Sequence, residues 1–521
     1  MTKDFYDVII IGSGAAGAAA AWNLSNKGLK IICLEQGSYT NPDFYPKNKS
    51  DISDINDYNY LPKYRNLISD YPINDKNSPI SISNYNAVGG STILYSGHFP
   101  RFHPSDFKTK TIDDVGEDWP LDYEDLEPFY NLNDKIMGIS GLEGDPAYPP
   151  IKNLLPPIPL GNSGELIANA YEKLGWHWWP ADAAINSRDD PPNRSACNNC
   201  GPCGMGCPRH ARASADIAYL DKATTAGVAL RTHTIVRKIN TSKDAIKSVE
   251  IIDCTGTKKE IRCKEVVLAG NAISTNILLA TIPDWHNPLL GKGLMLHPTA
   301  IVTGYFADNL NGHAGPFATS LISQEFCETK EDRGFVRGFQ LQALRGQGPL
   351  STALGGYGQR LDWGAGHTQA FANAFGKSMS LTVTCEDIPE PENCIEINMH
   401  TQDKFGMPIA AMRYRLGDNT RKLRDYGIER ASDWLNDAGA NRLAITRLSV
   451  QAGFHIMGTA PMGSDKSNSV TSHDGRLHGI ENLTVIDASV FVTASPVNPT
   501  STLQALALRA ADLMCERLAR D

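Results

Sequence analysis

Several features are scarce in this sequence, and each scarcity removes a class of function. No apolar run approaches the roughly 18 residues that a membrane-spanning helix requires, so no direct membrane span is expected. Basic charge is in the minority: 49 Lys and Arg stand against 58 Asp and Glu, a net charge of -9 without long like-charge blocks. A nucleic-acid or anionic-membrane ligand would need a basic face, so neither is expected. The N-terminus passes from Met1-Thr2-Lys3-Asp4 directly into an apolar strand, leaving no room for the charged and apolar regions of a leader. A cytoplasmic protein is the expectation, with export alongside a signal-bearing partner subunit as the other route. The 11 cysteines are irregularly spaced, which in a chain this long is no disulfide framework. Internal repeats and low-complexity tracts are absent too. What is present is 521 residues, 41% of them hydrophobic and 21% charged, enough for two sizeable cores.

The most informative stretch is Phe5 to Gly37. An apolar run, Val8 to Ile11, meets Gly12-Ser13-Gly14-Ala15-Ala16-Gly17, followed by an Ala-rich helix and a second apolar run that ends at Glu35. This is a complete βαβ unit with a dinucleotide-binding fingerprint. Gly12 turns the chain out of the strand, Gly14 lets a pyrophosphate approach the backbone, and Gly17 lets the helix pack closely. The helix N-terminus offers free N–H groups and a positive dipole end to phosphate. Glu35 is spaced to accept hydrogen bonds from a ribose 2′-OH, which disfavours NADP. The unit by itself does not separate NAD from FAD.

Beyond it, Thr40 to Asn86 is rich in Asn, Asp, Tyr and Pro and reads as a long arm of little regular structure, either a lid or interface arm or a plain insertion. Val88-Gly89-Gly90-Ser91-Thr92 is a tight turn whose paired glycines admit a flat ring or a phosphate. The stretch Asp118 to Tyr130, with its acid-rich start, predicts a short capped helix with a packing role. Trp176, Trp178 and Trp179 suit core packing or a stacking surface for a sugar or aromatic substrate. Strands are predicted over 234–239, 246–253 and 264–270, with a helix over 274–280, so the sheet begun near residue 7 is completed more than two hundred residues later. From about 299 to 450 the pattern changes to alternation, and 335–343 and 378–385 read as antiparallel strands with one solvated face. A long amphipathic helix is predicted over 419–438.

Cys197-Asn-Asn-Cys200-Gly-Pro-Cys203-Gly-Met-Gly-Cys207-Pro208 has the C-x2-C-x2-C-x3-C-P spacing of bacterial ferredoxins. An iron–sulfur cluster on Cys197, Cys200, Cys203 and Cys207 is one reading; zinc, disulfides and free thiols are the others. Structural zinc usually takes separated ligand pairs, and disulfides need an oxidising compartment.

Near the C-terminus, His455 sits in the small-residue turn 453–459, and Asn498-Pro499-Thr500 precedes a helix predicted from Leu503 to about Leu518. A neutral imidazole is a reasonable general base, and an amide can hold a hydroxyl or alkoxide. These landmarks, with Leu268-Ala269-Gly270, Leu296-His297-Pro298, His455-x-x-Gly458-Thr459 and Asp487-x-Ser489-x-Phe491, fall in the order of one family. The whole chain resembles the glucose-methanol-choline (GMC) oxidoreductases, most nearly the bacterial branch of gluconate and glycoside dehydrogenases and pyranose oxidases.

The resemblance implies an α/β fold: a Rossmann-like FAD-binding domain with an inserted α+β substrate domain built on an antiparallel sheet. The expected boundaries are 1–135, 213–298 and 451–521 for the FAD-binding parts, 136–212 for a linker and cysteine-rich insertion, and 299–450 for the substrate domain. It implies that His455 takes a hydroxyl proton while hydride passes to flavin N5, and that Asn498 orients the oxygen. Gly12, Gly14, Ala15, Gly17, Glu35, Gly89, Gly90, Ser91, Val236, Ala269, Asp487, Pro499 and Thr500 would hold FAD. Relatives with covalent flavin carry a histidine four residues after the second glycine of the Gly-Gly turn, whereas this chain has Leu94, so the FAD is expected to be non-covalent. The implied substrate is an alcohol, sugar, glycoside or polyol. An iron–sulfur strip would pass electrons to a quinone, cytochrome or partner subunit; without iron, oxygen becomes the acceptor. A lyase that retains FAD without net redox and a non-catalytic subunit are the competing classes.

Overall fold

The computed structural model describes residues 5–42, 70–189, 194–201, 203–315, 320–355, 361 and 363–520. The greater part of the predicted arm, residues 43–69, lies outside the described residues.

The apolar run of the first strand, Phe5–Ile11, is buried on both faces along Val8 to Ile11. Ile9 and Ile11 enter one hydrophobic core while Val8 and Ile10 enter another, which is the period-two division expected of a central parallel strand. The strand pairs in parallel with Ile31–Leu34 on one side and with Lys258–Leu268 on the other. The seven-stranded sheet runs in the order Ala229–Arg231, Ile31–Leu34, Phe5–Ile11, Lys258–Leu268, Ala245–Asp253, Thr234–Ser242, and Leu483–Val485 adds in parallel to the far end of Lys258–Leu268. The helices Ala15–Ser25 and Thr500–Leu518 pack on the same side of this sheet, joined by Asn23 Nδ2 donating to Leu508 O at 2.8 Å.

A six-stranded antiparallel sheet follows the order Arg442–Thr446, Thr299–Tyr305, Ser378–Cys385, Phe339–Leu344, Leu321–Ser323, Trp179–Pro180. The helix Asp418–Asp437 covers one face, packing Leu423, Ile428, Trp434 and Leu435 against Phe339, Leu341, Leu381 and Val383. Here the structure corrects the expectation of a solvated face. Phe339–Leu344 and Ser378–Cys385 are buried at every position. Their alternation separates two buried environments: apolar residues face the helix, and Gln340, Gln342, Ser380, Thr382 and Thr384 are buried as well. Trp176 stacks edge-on against Tyr171 and Phe326, which supports the packing reading of that cluster. A third sheet joins Cys394–Gln402, Pro408–Arg413 and Ile73–Asn77. The helix predicted within Asp118 to Tyr130 spans Tyr123–Met137, with Asp122 and Asp125 forming a capping box. Among the described residues, no helix is long and apolar enough to cross a membrane.

Candidate active site

One cleft of roughly 410 Å³ joins the N-terminal fingerprint to the C-terminal landmarks. Gly12, Gly14, Ala15, Glu35, Gly90, Ser91, Val236, Ala269, Asp487, Pro499 and Thr500 line it, together with His455 and Asn498. Two predicted residues stand just behind the wall. Gly17 packs against the Gly12 carbonyl, where a Cβ would come within 2.0 Å of the oxygen. Gly89, at a φ of +87°, donates its N–H to Ser13 O at 3.1 Å and so ties the two glycine turns together. Gly90 lies so near the fingerprint that a Cβ on it would sit 2.8 Å from Gly14 Cα.

The helices Ala15–Ser25 and Thr500–Leu518 both begin at this cleft, and neither has a side-chain cap. Their first N–H groups therefore remain available to an electron-rich ligand. The second helix starts at Thr500 rather than Leu503, because Pro499 is compatible with entry into a helix and Leu503 N already bonds to Pro499 O. Glu35 is buried; its Oε2 accepts from Ser13 N and Oγ at 3.0 and 2.8 Å, and its Oε1 from Gly37 N at 2.8 Å. Burial raises its pKa against these lowering hydrogen bonds. Asp487 is likewise buried and raised by burial; it accepts from Ser489 N at 3.0 Å and Thr275 Oγ1 at 2.5 Å. Glycines that let two backbones touch, two uncapped helix starts and a buried acid fit a dinucleotide cofactor stretched along the cleft.

At the other end, the backbone explains how the polar groups meet. Met295 and Met457 form an antiparallel bridge, each donating its N–H to the other's carbonyl at 2.9 and 3.0 Å. Two residues outward on each strand, His297 and His455 face each other, and their Nδ1 atoms are 2.8 Å apart. His297 is fully buried, and burial lowers its pKa to about 4. His455 is shifted well below the ordinary histidine value, by burial first and then by the His297 and His98 rings. Across the cleft, Gln342 Nε2 donates to Asn498 Oδ1 at 2.6 Å and to Gln340 Oε1 at 2.6 Å, while His98 Nε2 lies 3.2 Å from the latter oxygen. His98, Gln340 and Gln342 were not singled out from sequence, although Gln340 and Gln342 share one face of a strand whose other face is apolar. That pairing was the signal for them. His297 was noted only as a landmark.

The cysteine strip adjoins this site. Cys197, Cys200, Cys203 and Cys207 line one small cavity, and the neighbouring Gly204 lines the main cleft. Arg212 is buried beside the strip and donates to the carbonyls of Thr92 and Ile93 in the Gly-Gly turn, at 2.5 and 2.6 Å. None of the four is joined in a disulfide, and burial pushes the thiols of Cys197 and Cys200 up to about 11. The donor set suits iron or zinc, although among the described residues no three His, Cys, Asp or Glu side chains are grouped as they would be around one ion.

The chain matches the GMC oxidoreductase models over residues 159–299 and 389–507, and an FAD binding domain model over residues 7–43. It is 36% identical to 2-methyl-1,2-propanediol dehydrogenase of Mycolicibacterium austroafricanum, over 99% of this chain and 96% of the relative. It is 26% identical to the fructose dehydrogenase large subunit of Gluconobacter japonicus, over 98% of both chains. Identity to paromamine 6'-oxidase of Streptomyces fradiae is 27%, over 97% of this chain and 90% of that one. Formate oxidase of Aspergillus oryzae RIB40 shares the fold at a TM-score of 0.66 with 15% identity, over the whole of both chains. The chain is a member of the GMC oxidoreductase family, with a Rossmann-like FAD-binding fold.

Proposed function

We propose that this protein oxidises an alcohol group to a carbonyl, with a small polyol, sugar or glycoside as substrate. The observation that carries the reading is the convergence of His455 and Asn498 on the same cleft that the Gly12 to Gly17 turn enters. When bound, FAD supplies the hydride acceptor. His455 removes the hydroxyl proton as general base. Asn498 holds the substrate oxygen, and its amide is oriented for this because Gln342 occupies Oδ1 and leaves Nδ2 to donate. Glu35 would hold the adenosine ribose and Asp487 the ribityl chain, with Val236 and Ala269 lining the same cleft. Leu94, which lines the cleft, offers no attachment atom, so the FAD is non-covalent. The relative named 2-methyl-1,2-propanediol dehydrogenase puts short diols first in any substrate panel. The iron–sulfur reading of the cysteine strip rests on its run and on the small cavity that its four cysteines line; electrons would then leave to a quinone, cytochrome or partner subunit.

A panel of short diols, polyols and sugars scored by anaerobic flavin bleaching tests the reading. Bleaching by at least one alcohol with stoichiometric carbonyl product is expected; product without any flavin change would turn the assignment to a lyase. Acid precipitation should leave the yellow colour in the supernatant. Iron and sulfide analysis of anaerobically purified protein decides the strip, and flavin absorption alone would retire the cluster.

A further inference from the structure

The ring nitrogens of His297 and His455 are arranged so that only one proton distribution satisfies both. His297 Nε2 lies 2.8 Å from the Ser495 carbonyl oxygen. A carbonyl can only accept, so this nitrogen carries the proton. In the neutral ring His297 Nδ1 is then a lone pair, and it sits 2.8 Å from His455 Nδ1. That contact requires His455 to donate from Nδ1, which leaves its Nε2 as the free lone pair. We propose that His297 is a positioning residue that locks His455 in the Nδ1–H tautomer, so that Nε2 is the atom that takes the alcohol proton. This rests on the reading of His455 as the general base.

The arrangement is held from behind. Ser495 has a φ of +57°, an unfavourable conformation for a residue with a Cβ. Its Oγ donates to Asp106 Oδ2 at 2.6 Å, and the same carboxyl oxygen accepts from His103 N at 2.7 Å. Asp106 is in turn paired with the buried Arg337. The Ser495 carbonyl is thus aimed at His297 by a strained turn that an ion pair anchors. His297 is neutral at working pH, because burial depresses its pKa. In the reaction the substrate O–H proton would pass to His455 Nε2 as the C–H electron pair leaves as hydride and the C=O bond forms, FAD being the acceptor it would supply when bound. The imidazolium left on His455 then donates its Nδ1–H to the His297 lone pair, a charge-assisted bond that strengthens as the proton arrives.

The titratable and charged groups facing the pair are His98 across the cleft, Asp106 behind Ser495 with its partner Arg337, and Asp387, which accepts from Leu296 N. A charged His297 ring would depress His455; the neutral ring instead accepts from the His455 Nδ1–H, so removing this acceptor withdraws stabilisation from protonated His455. The base weakens, and the rising limb of the pH–rate profile moves to lower pH.

Two readouts test the assignment. In 15N-histidine-labelled protein, long-range proton–nitrogen correlations report the tautomer of each ring without turnover. The ring whose signals vanish in His455→Gln should be protonated at Nδ1; an Nε2–H tautomer there overturns the proposal. In anaerobic flavin reduction, His297→Leu should slow the rate roughly 10- to 100-fold with the limb displaced downward. His297→Asn, whose carboxamide oxygen can stand where Nδ1 stood, should recover most of both. A folded His297→Leu with wild-type rate and limb also overturns it. Full flavin reduction in His455→Gln would instead overturn the general-base reading itself, so the two failures are distinguishable.

Discussion

Replacing Gly90 by alanine isolates the contact between the two glycine turns. At a φ of +57° the new side chain incurs roughly 1–2 kcal/mol of left-handed strain. Its Cβ would also come 2.8 Å from Gly14 Cα, an overpacking of backbone against backbone that costs about 1–3 kcal/mol. Gly28→Ala is the control: its φ of +74° imposes the same strain, and nothing lies within 4 Å of its Cβ. At about 2.1 cal/mol/K per residue, unfolding this 521-residue chain carries roughly 1.1 kcal/mol/K. The control should therefore melt about 1–2 °C below wild type and Gly90→Ala about 2–5 °C below. Apoprotein can relieve the contact by parting the turns, whereas a cofactor held between them prevents that. FAD affinity, read by flavin fluorescence on titration of apoprotein, should consequently fall by about 5- to 150-fold in Gly90→Ala and stay unchanged in Gly28→Ala. Equal melting shifts with equal FAD affinity in the two variants would refute the idea that this backbone contact shapes the cofactor cleft.

Three further outcomes are expected. Asn498→Leu should slow anaerobic flavin reduction about 100-fold or more while leaving FAD binding intact; an unchanged rate would remove Asn498 from the chemistry. His297 has a folded pKa of about 4 against 6.5 unfolded, so the unfolded chain binds the extra proton between those values. The stability linked to its neutrality is complete above the unfolded value and falls as pH drops toward 4, reaching a loss of about 2 kcal/mol by pH 5. The non-titrating His297→Asn should lose about 2 °C less in melting temperature between pH 7 and pH 5 than wild type, and identical losses would contradict the buried neutral ring. Gly17→Ala would drive a Cβ to 2.0 Å from the Gly12 carbonyl oxygen and should yield protein that purifies without flavin; yellow, wild-type-like protein would show that the helix can shift.

What could be read from the sequence depended on how local the cause was. The fingerprint, Glu35 and the Gly-Gly turn announce themselves because backbone freedom and charge at fixed spacing are local properties. His455 and Asn498 were found through the order of landmarks, since an isolated histidine in a small-residue turn is ambiguous. The environment of Gln340 and Gln342 was misjudged: alternation distinguishes two faces and does not say that the polar one meets water, and here it meets Asn498 and His98. His297 became informative only once the Met295–Met457 bridge set it opposite His455, a register between segments 158 residues apart that no local pattern contains.

The pairing of the first strand with one that begins at Lys258 sets a timetable for synthesis. Val8-Ile9-Ile10-Ile11 leaves the ribosome early, with one edge satisfied by Ile31–Leu34 and the other bare until the later strand emerges. At ~5–20 residues per second that interval lasts on the order of tens of seconds. During it an unbroken β-branched edge is open to pairing with another nascent chain. Slower initiation or lower temperature during expression should therefore raise soluble yield more than added cofactor does, because the ligand's cradle does not yet exist when the hazard is greatest.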